Sequence, residues 1–246
     1  MAKKPTKKIN KKSGSRGLHV NVKTAAKRSN SSARWLARQL NDPYVSKARA
    51  EGYRSRAAYK LLDLDEKFQL LKPGMRVVDL GCAPGGWAQV AVAKLGPSGF
   101  VIGCDLLEVP PIPGATLIVQ DFLAEDAPEV IKALLATQPH ASGKATLSPA
   151  DARADVVMSD MAANTTGHGP TDHIRIIHLC EMAYHFAVEI LAPGGVFICK
   201  VRKGGAESDL LKLMQRHFTS VKHAKPKSSR ADSAESYVVA MGFRGL

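Results

Sequence analysis

From residue 55 onward the apolar positions recur in two rhythms. Ala57, Leu61, Leu64, Phe68 and Leu71 fall at spacings of 4, 3, 4 and 3, one face of a helix that starts near Ser55 and is stopped by Lys72-Pro73-Gly74. Lys60 sits on the flank of that face, where a long amine ordinarily snorkels to water. Short apolar runs then alternate with helical stretches. Strands are expected over Arg76–Leu80, Phe100–Cys104, Thr116–Val119, Asp155–Ser159, Val196–Cys199, Ser220–Ala224 and Glu235–Phe243, the last alternating as Tyr237, Val239 and Met241. Helices are expected over Ala88–Leu95, Pro128–Leu135, Asp172–Leu191 and Ser208–Phe218, and a loop over 137–153. Upstream, a short helix begins at Ser31 or Ser32 as N-cap, with Trp35, Leu36 and Leu40 as its apolar side and Asn41-Asp42-Pro43 as its end. Strand–helix alternation without an internal repeat predicts an α/β fold, a mostly parallel sheet with helices on both faces.

Composition sharpens this picture. The chain has 246 residues, 45% hydrophobic and 23% charged, an ordinary globular mixture. A chain of this length buries roughly 70–75% of its unfolded surface, so it needs no disulfide or metal staple. Collagen-like, disulfide-scaffold and wholly disordered classes are excluded, and no run of 18 apolar residues is present to span a membrane. Met1 is not followed by a secretory signal. Cys82, Cys104, Cys180 and Cys199 are far apart and no zinc-ligand spacing occurs, His173 and His178 included. Reduced buried thiols in a cytoplasmic protein without a metal are therefore expected.

The net charge of +13 is not evenly spread. Residues 1–56 hold 16 Lys/Arg against two acids, Asp42 and Glu51, whereas residues 57–246 hold 19 against 20. Residues 1–30 read as a basic disordered arm, 31–50 as a helical lead-in and 51–246 as the main domain. The natural partner of such an arm is a polyanion. A merely solubilising tail is the plainer alternative; a mitochondrial presequence fits less well, because residues 1–17 lack an apolar stripe and favour Lys over Arg.

The carboxyl ends of five expected strands carry Asp79, Asp105, Asp121, Asp160 and Lys200. Turn-forming acids explain any one of these, but poorly explain all five, and open α/β sheets bind ligands at that edge. The first strand runs into Asp79-Leu80-Gly81-Cys82-Ala83-Pro84-Gly85-Gly86-Trp87. This is neither a Walker A loop nor Gly-x-Gly-x-x-Gly. Asp105 suits ribose hydroxyls, and Asp121-Phe122 offers an acceptor and an aromatic edge to an adenine. Acids for a nucleoside without a phosphate-binding lysine point to S-adenosylmethionine, whose cationic end fits among Asp79 and Asp160.

Four stretches carry a family resemblance: Gly-Tyr-Arg-Ser-Arg-Ala-Ala-Tyr-Lys-Leu at 52–61, the glycine loop at 79–87, Val-Val-Met-Ser-Asp-Met-Ala at 156–162 and Leu-Ala-Pro-Gly-Gly-Val-Phe-Ile-Cys-Lys-Val at 191–201. Over about residues 42–245 the chain resembles the RlmE/FtsJ family of RNA ribose 2′-O-methyltransferases. The resemblance implies a Rossmann-like, seven-stranded S-adenosylmethionine-dependent methyltransferase sheet whose last strand is antiparallel. It implies a catalytic set of Lys60, Asp160, Lys200 and Glu235, which turns Lys60 from a snorkelling residue into a site residue. It places cofactor contacts at Gly85, Trp87, Asp105, Asp121 and Asp160. Ala163 departs from the family pattern, which has proline there.

The implied reaction moves a methyl from sulfur to a ribose oxygen. Lys200 takes the hydroxyl proton, or, left protonated, steadies a developing alkoxide; Asp160 favours the charged lysine. The implied substrate is a uridine ribose in large-subunit (23S) ribosomal RNA, modified on the assembled subunit by a monomer. Lys225, Lys227 and Arg230 put phosphate-binding charge just ahead of Glu235. A 2′-O-methyltransferase for transfer RNA or a message cap shares the same set, although no aromatic sandwich for a charged cap base is evident, Trp35 and Trp87 being the only tryptophans. A non-catalytic RNA-binding protein on this scaffold predicts a broken set or glycine loop, and both are intact here.

Overall fold

The computed structural model describes residues 20–22, 24, 29–138, 148, 152–162, 167–202 and 208–245. The expectations for most of the arm at 1–30, for most of the 137–153 loop and for Ala163 lie outside the described residues. The chain forms two compact units, residues 1–46 and 47–246.

In the first unit, α1 spans Asn30–Leu40. Its N-cap is Ser29, whose hydroxyl accepts the Ser32 N–H at 3.3 Å, ahead of the expected Ser31 or Ser32. Asn41 ends it, and its side-chain amide exchanges two hydrogen bonds with the Val20 backbone at 2.8 and 3.0 Å. Asn41-Asp42-Pro43 is also a start. Helix α2, Pro43–Ala50, follows at once, with the Asp42 carboxylate accepting the Tyr44 N–H at 3.0 Å. Pro43 fits the first helical position, where no N–H is needed. The sequence reading took this tripeptide only as a stop.

The second unit is built on β1 Arg76–Leu80, β2 Phe100–Asp105, β3 Ala115–Val119, β4 Ala154–Ser159, β5 Leu191–Arg202, β6 Phe218–Ala224 and β7 Glu235–Phe243. These form one seven-stranded sheet in the order β3-β2-β1-β4-β5-β7-β6. Every strand runs parallel except β7, which is antiparallel to β5 and β6. Helices α3 Ala57–Phe68, α4 Gly86–Leu95, α5 Ala127–Thr137, α6 Gly169–Ile190 and α7 Ser208–His217 complete it.

Successive strand residues point to opposite faces, and both faces are covered. Val77, Val101, Val156, Met158, Ile198 and Val239 pack under Leu61, Leu64, Trp87 and Val90 of α3 and α4. Their neighbours Val78, Ile102, Val157, Phe197 and Val238 pack on the other side against Ile131, Tyr184, Leu210 and Met214 of α5, α6 and α7. That is why the strands read as unbroken apolar runs. Each fully buried Leu, Ile or Val contributes about 1.5–3 kcal/mol relative to exposure. All four cysteines are buried free thiols.

Two elements end differently from their sequence reading. Helix α3 stops at Phe68, because Gln69 turns left-handed (φ 55°) with its N–H on the Asp65 carbonyl. The buried Asp65 carboxylate then takes the Leu71 N–H at 2.9 Å and the Lys94 ammonium at 2.8 Å, so Leu71 packs from outside the helix. Strand β5 begins at Leu191 rather than Val196, absorbing Ala-Pro-Gly-Gly in a register shift against β4.

Candidate active site

From β1 the sheet grows outward through β2 to β3 on one side, and through β4 to β5 on the other. Such a switch point opens a crevice outside the carboxyl strand ends. Along this edge lie, in spatial order, Asp121, Asp105, Asp79, Asp160 and Lys200. Asp79 is inside β1 rather than after it, and Lys200 is inside β5.

Register joins the first pair. Met158 lies opposite Ile198 and Ser159 opposite Cys199, so Asp160 and Lys200 come next to each other. The Lys200 ammonium is 2.9 Å from Asp160 Oδ1 and donates to the Asp160 carbonyl at 2.8 Å. On the other side of β5, Tyr237 lies opposite Lys200 and Glu235 opposite Arg202. Cross-strand partners share a face, so Lys200, Tyr237 and Glu235 point the same way, toward α3. The Tyr237 hydroxyl donates to Asp160 Oδ1 at 2.5 Å. Helix α3 brings Lys60 down on the group, 3.4 Å from Glu235 Oε2 and 3.8 Å from Asp160 Oδ1. Lys60 is only 8% exposed, so the flank position is not a snorkelling one. The two carboxylates give its buried charge partners.

Burial by itself would depress the Lys200 amine, but the charges of Asp160 and Glu235 more than offset it and raise it above the usual lysine value. Burial would raise Asp160, yet Lys200, Lys60 and the Tyr237 hydrogen bond bring it below the usual range. Glu235 is likewise lowered, burial being outweighed by Lys60 and Lys200. Lys200 thus rests as an ammonium beside two carboxylates. Tyr237 is pushed well up, by burial first and Asp160 second, and stays a hydrogen-bond donor.

The glycine loop lies beside this cluster. Gly85 has φ 104°, and a Cβ there would come within 2.9 Å of Arg54 Nη1 and 3.0 Å of Ile112 Cδ1, so only glycine fits. The Asp105 carboxylate accepts the Ala83 N–H on one oxygen and the Leu107 N–H on the other, both at 2.9 Å, and so shapes the loop it adjoins. Asp121 is exposed and accepts the Leu123 N–H at 2.9 Å. The Trp87 ring is sealed between α3 and β7: its indole N–H donates to the Ala57 carbonyl at 2.9 Å and the ring packs on Tyr237. What Trp87 offers a ligand is its main-chain N–H in the first turn of α4. Phe122 is turned into the core, edge-on to Phe186, which corrects the expectation of an aromatic edge for an adenine. Asp79 is 1% exposed, and both its carboxyl oxygens lack a hydrogen-bond partner among the described residues. Burial, then Asp160 and Asp105, push it well above the usual carboxyl range.

Sequence reasoning missed several residues that hold this geometry. Tyr237 was taken as an apolar strand position; its spacing of two from Glu235 is the signal that both share a face. Arg56 donates to the Ser228 carbonyl and Asp63 accepts the Ser228 N–H at 2.7 Å, which fastens the loop before Glu235 to α3. Among the described residues no group of three or more His, Cys, Asp or Glu is arranged to hold a metal, and no helix is long and apolar enough to cross a membrane.

A parallel sheet with one reversed strand, a glycine loop after β1 and a Lys–Asp–Lys–Glu cluster at the switch point define a methyltransferase of the Rossmann-like class. The FtsJ-like methyltransferase family model matches residues 53–243, and the chain belongs to that family. A curated relative from Parvibaculum lavamentivorans, named ribosomal RNA large subunit methyltransferase E, is 58% identical over 94% of this chain and 89% of its own length. A relative of the same name from Roseobacter denitrificans is 53% identical over 99% of both chains. The crystal structure of a ribosomal RNA methyltransferase from Plasmodium falciparum superposes with a TM-score of 0.67 at 29% identity, covering 79% of this chain and all of that one.

Proposed function

We propose that this protein methylates the 2′-hydroxyl of a uridine ribose in large-subunit (23S) ribosomal RNA, with S-adenosylmethionine as donor, acting on the assembled subunit as a cytoplasmic monomer. The observation that carries the reading is the convergence of Lys60, Asp160, Lys200 and Glu235 at the mouth of the glycine-loop crevice. The relatives' printed name supports the ribosomal substrate.

The residues present fit the donor. Asp79's two buried oxygens, without a hydrogen-bond partner among the described residues, suit a cationic group. Gly85 and the Trp87 main chain would line the amino-acid end, Asp105 the ribose, Asp121 the adenine side, and Asp160 the reacting end. When bound, the donor supplies a sulfonium methyl for transfer to the 2′-oxygen.

The chain's own residues do the rest. Holding the hydroxyl in line with the methyl is worth roughly 7–11 kcal/mol of barrier. Asp160 fixes Lys200 through two hydrogen bonds, so the amine points at the site where the oxygen must lie. Lys200 rests as an ammonium, and must release its proton before it can take one from the ribose; a cation entering beside it favours that release. Lys60 and Glu235 hold each other and bracket the ribose.

The test is transfer of labelled methyl from S-adenosylmethionine to large subunits, naked ribosomal RNA and bulk transfer RNA in parallel. Label on a uridine 2′-oxygen of large subunits is expected. Label confined to transfer RNA would overturn the ribosomal reading.

A further inference from the structure

Arg54 lies six residues before Lys60, in the segment that leads into α3, and its side chain does not point into the catalytic cluster. Its guanidinium spans two loops. Nη1 donates to the Pro110 carbonyl at 2.6 Å and, more weakly, to the Pro84 carbonyl at 3.4 Å. Nη2 donates to the Pro111 carbonyl at 2.9 Å. Pro84 belongs to the glycine loop after β1, and Pro110 and Pro111 to the loop after Asp105, which follows the neighbouring strand β2; these two loops wall the crevice on its Asp105 side. The Arg54 main chain is itself anchored: its N–H donates to Gln89 Oε1 of α4 at 2.8 Å, and Gln89 Nε2 returns to the Gly52 carbonyl at 3.0 Å.

We infer that Arg54 is a positioning residue that latches both loops on that side of the cofactor crevice to the α3 segment carrying Lys60, and so sets cofactor affinity rather than RNA affinity. The inference rests on the reading of that crevice as the S-adenosylmethionine site. Three arguments support it. Only a planar, forked donor reaches carbonyls on two loops at once, which a lysine's point charge cannot do. Carbonyls are poor counter-ions, so the contacts serve geometry and not charge balance. Gly85, where any Cβ would press on Arg54 Nη1, shows how tightly the loop is seated on this side chain. A basic side chain in a basic segment of a ribosomal RNA enzyme would otherwise be read as a phosphate contact, and the two roles separate experimentally.

The test compares wild type, R54M and R54K. Dissociation constants for S-adenosylmethionine and S-adenosylhomocysteine come from calorimetry without RNA. KM and kcat come from turnover, and RNA affinity is followed against salt. The latch predicts a rise of at least tenfold in cofactor dissociation constant and KM for R54M, a smaller rise for R54K, and kcat at saturating cofactor within about threefold of wild type. RNA affinity and its salt slope should not move. A phosphate contact predicts the reverse: unchanged cofactor binding and a salt slope reduced by about one, which would overturn the inference. If R54M fails to fold, R54K alone decides, since unaltered cofactor affinity in R54K contradicts a forked latch. If wild type binds neither S-adenosylmethionine nor S-adenosylhomocysteine, the crevice reading itself falls and the latch with it.

Discussion

Asp79 and Lys200 hold the opposite ends of the site's charge problem. Asp79 is a buried acid with no hydrogen-bond partner among the described residues and a raised pKa. An acid whose folded pKa is raised is destabilising above its unfolded pKa, and the penalty is absent below it. Asp79→Asn should therefore stabilise the cofactor-free protein at neutral pH. The amide leaves a buried polar group in place, so only the cost of ionisation is relieved; each kcal/mol regained raises the thermal midpoint by roughly 2–4 °C. The same variant should bind S-adenosylmethionine more weakly. Thermal unfolding with and without the donor reads both effects; an unchanged or lower midpoint would contradict the account of Asp79. Lys200 is raised by Asp160 and Glu235, so Glu235→Gln should bring its titration to lower pH. In a pH–rate profile, an alkaline rise that moves to lower pH identifies Lys200 as a base. A fall moving the same way identifies it as an ammonium donor, and no movement denies the coupling.

At the scale of elements, the candidate site was readable only where sequence separation was small or the strand ends were marked. The acids at 105, 121 and 160 follow apolar runs and could be placed on one edge. Which side chains meet was not readable, because it depends on register: Tyr237 faces Asp160 only because β7 runs antiparallel between β5 and β6. Lys60 was ambiguous for the same reason, since its partners are 100 and 175 residues away. Phe122 looks like a ligand aromatic in the sequence but is a core residue, because the sheet is covered on both faces. The loop before Glu235 yields a further expectation. Asp63 satisfies the N–H of Ser228, which is buried. Asp63→Ala should cost about 1–3 kcal/mol of stability by leaving that donor unmet. By loosening the approach to Glu235 it should lower kcat several-fold with cofactor affinity unchanged. Denaturant unfolding and steady-state kinetics test the pair; a full-rate enzyme would free the loop from any role.

The whole molecule is an almost neutral catalytic unit preceded by a strongly basic segment. The fold class was legible because helices on both faces force unbroken apolar strands, a pattern that survives without any knowledge of pairing. Helix α2 was not, because Asp-Pro punctuates a stop and a start alike. The charge asymmetry makes its own prediction. Log K for RNA falls with log salt by about 0.7–0.9 per phosphate neutralised. Deleting residues 2–30 should thus weaken RNA binding and flatten its salt dependence, while saturating RNA restores turnover. An unchanged affinity and slope would make the segment a passive one.

The Lys60–Asp160–Lys200–Glu235 cluster is proposed to perform ribose 2′-O-methylation of large-subunit ribosomal RNA. The most direct measurement maps 2′-O-methyl groups in ribosomal and transfer RNA of cells lacking this protein, resupplied with wild type or with Lys200→Ala. The account predicts one large-subunit uridine that gains its methyl with wild type and stays bare with Lys200→Ala, although the purified variant binds S-adenosylmethionine within about tenfold of wild type, a difference of about 1.4 kcal/mol. Full methylation by Lys200→Ala, or a methyl that appears only in transfer RNA, would contradict it.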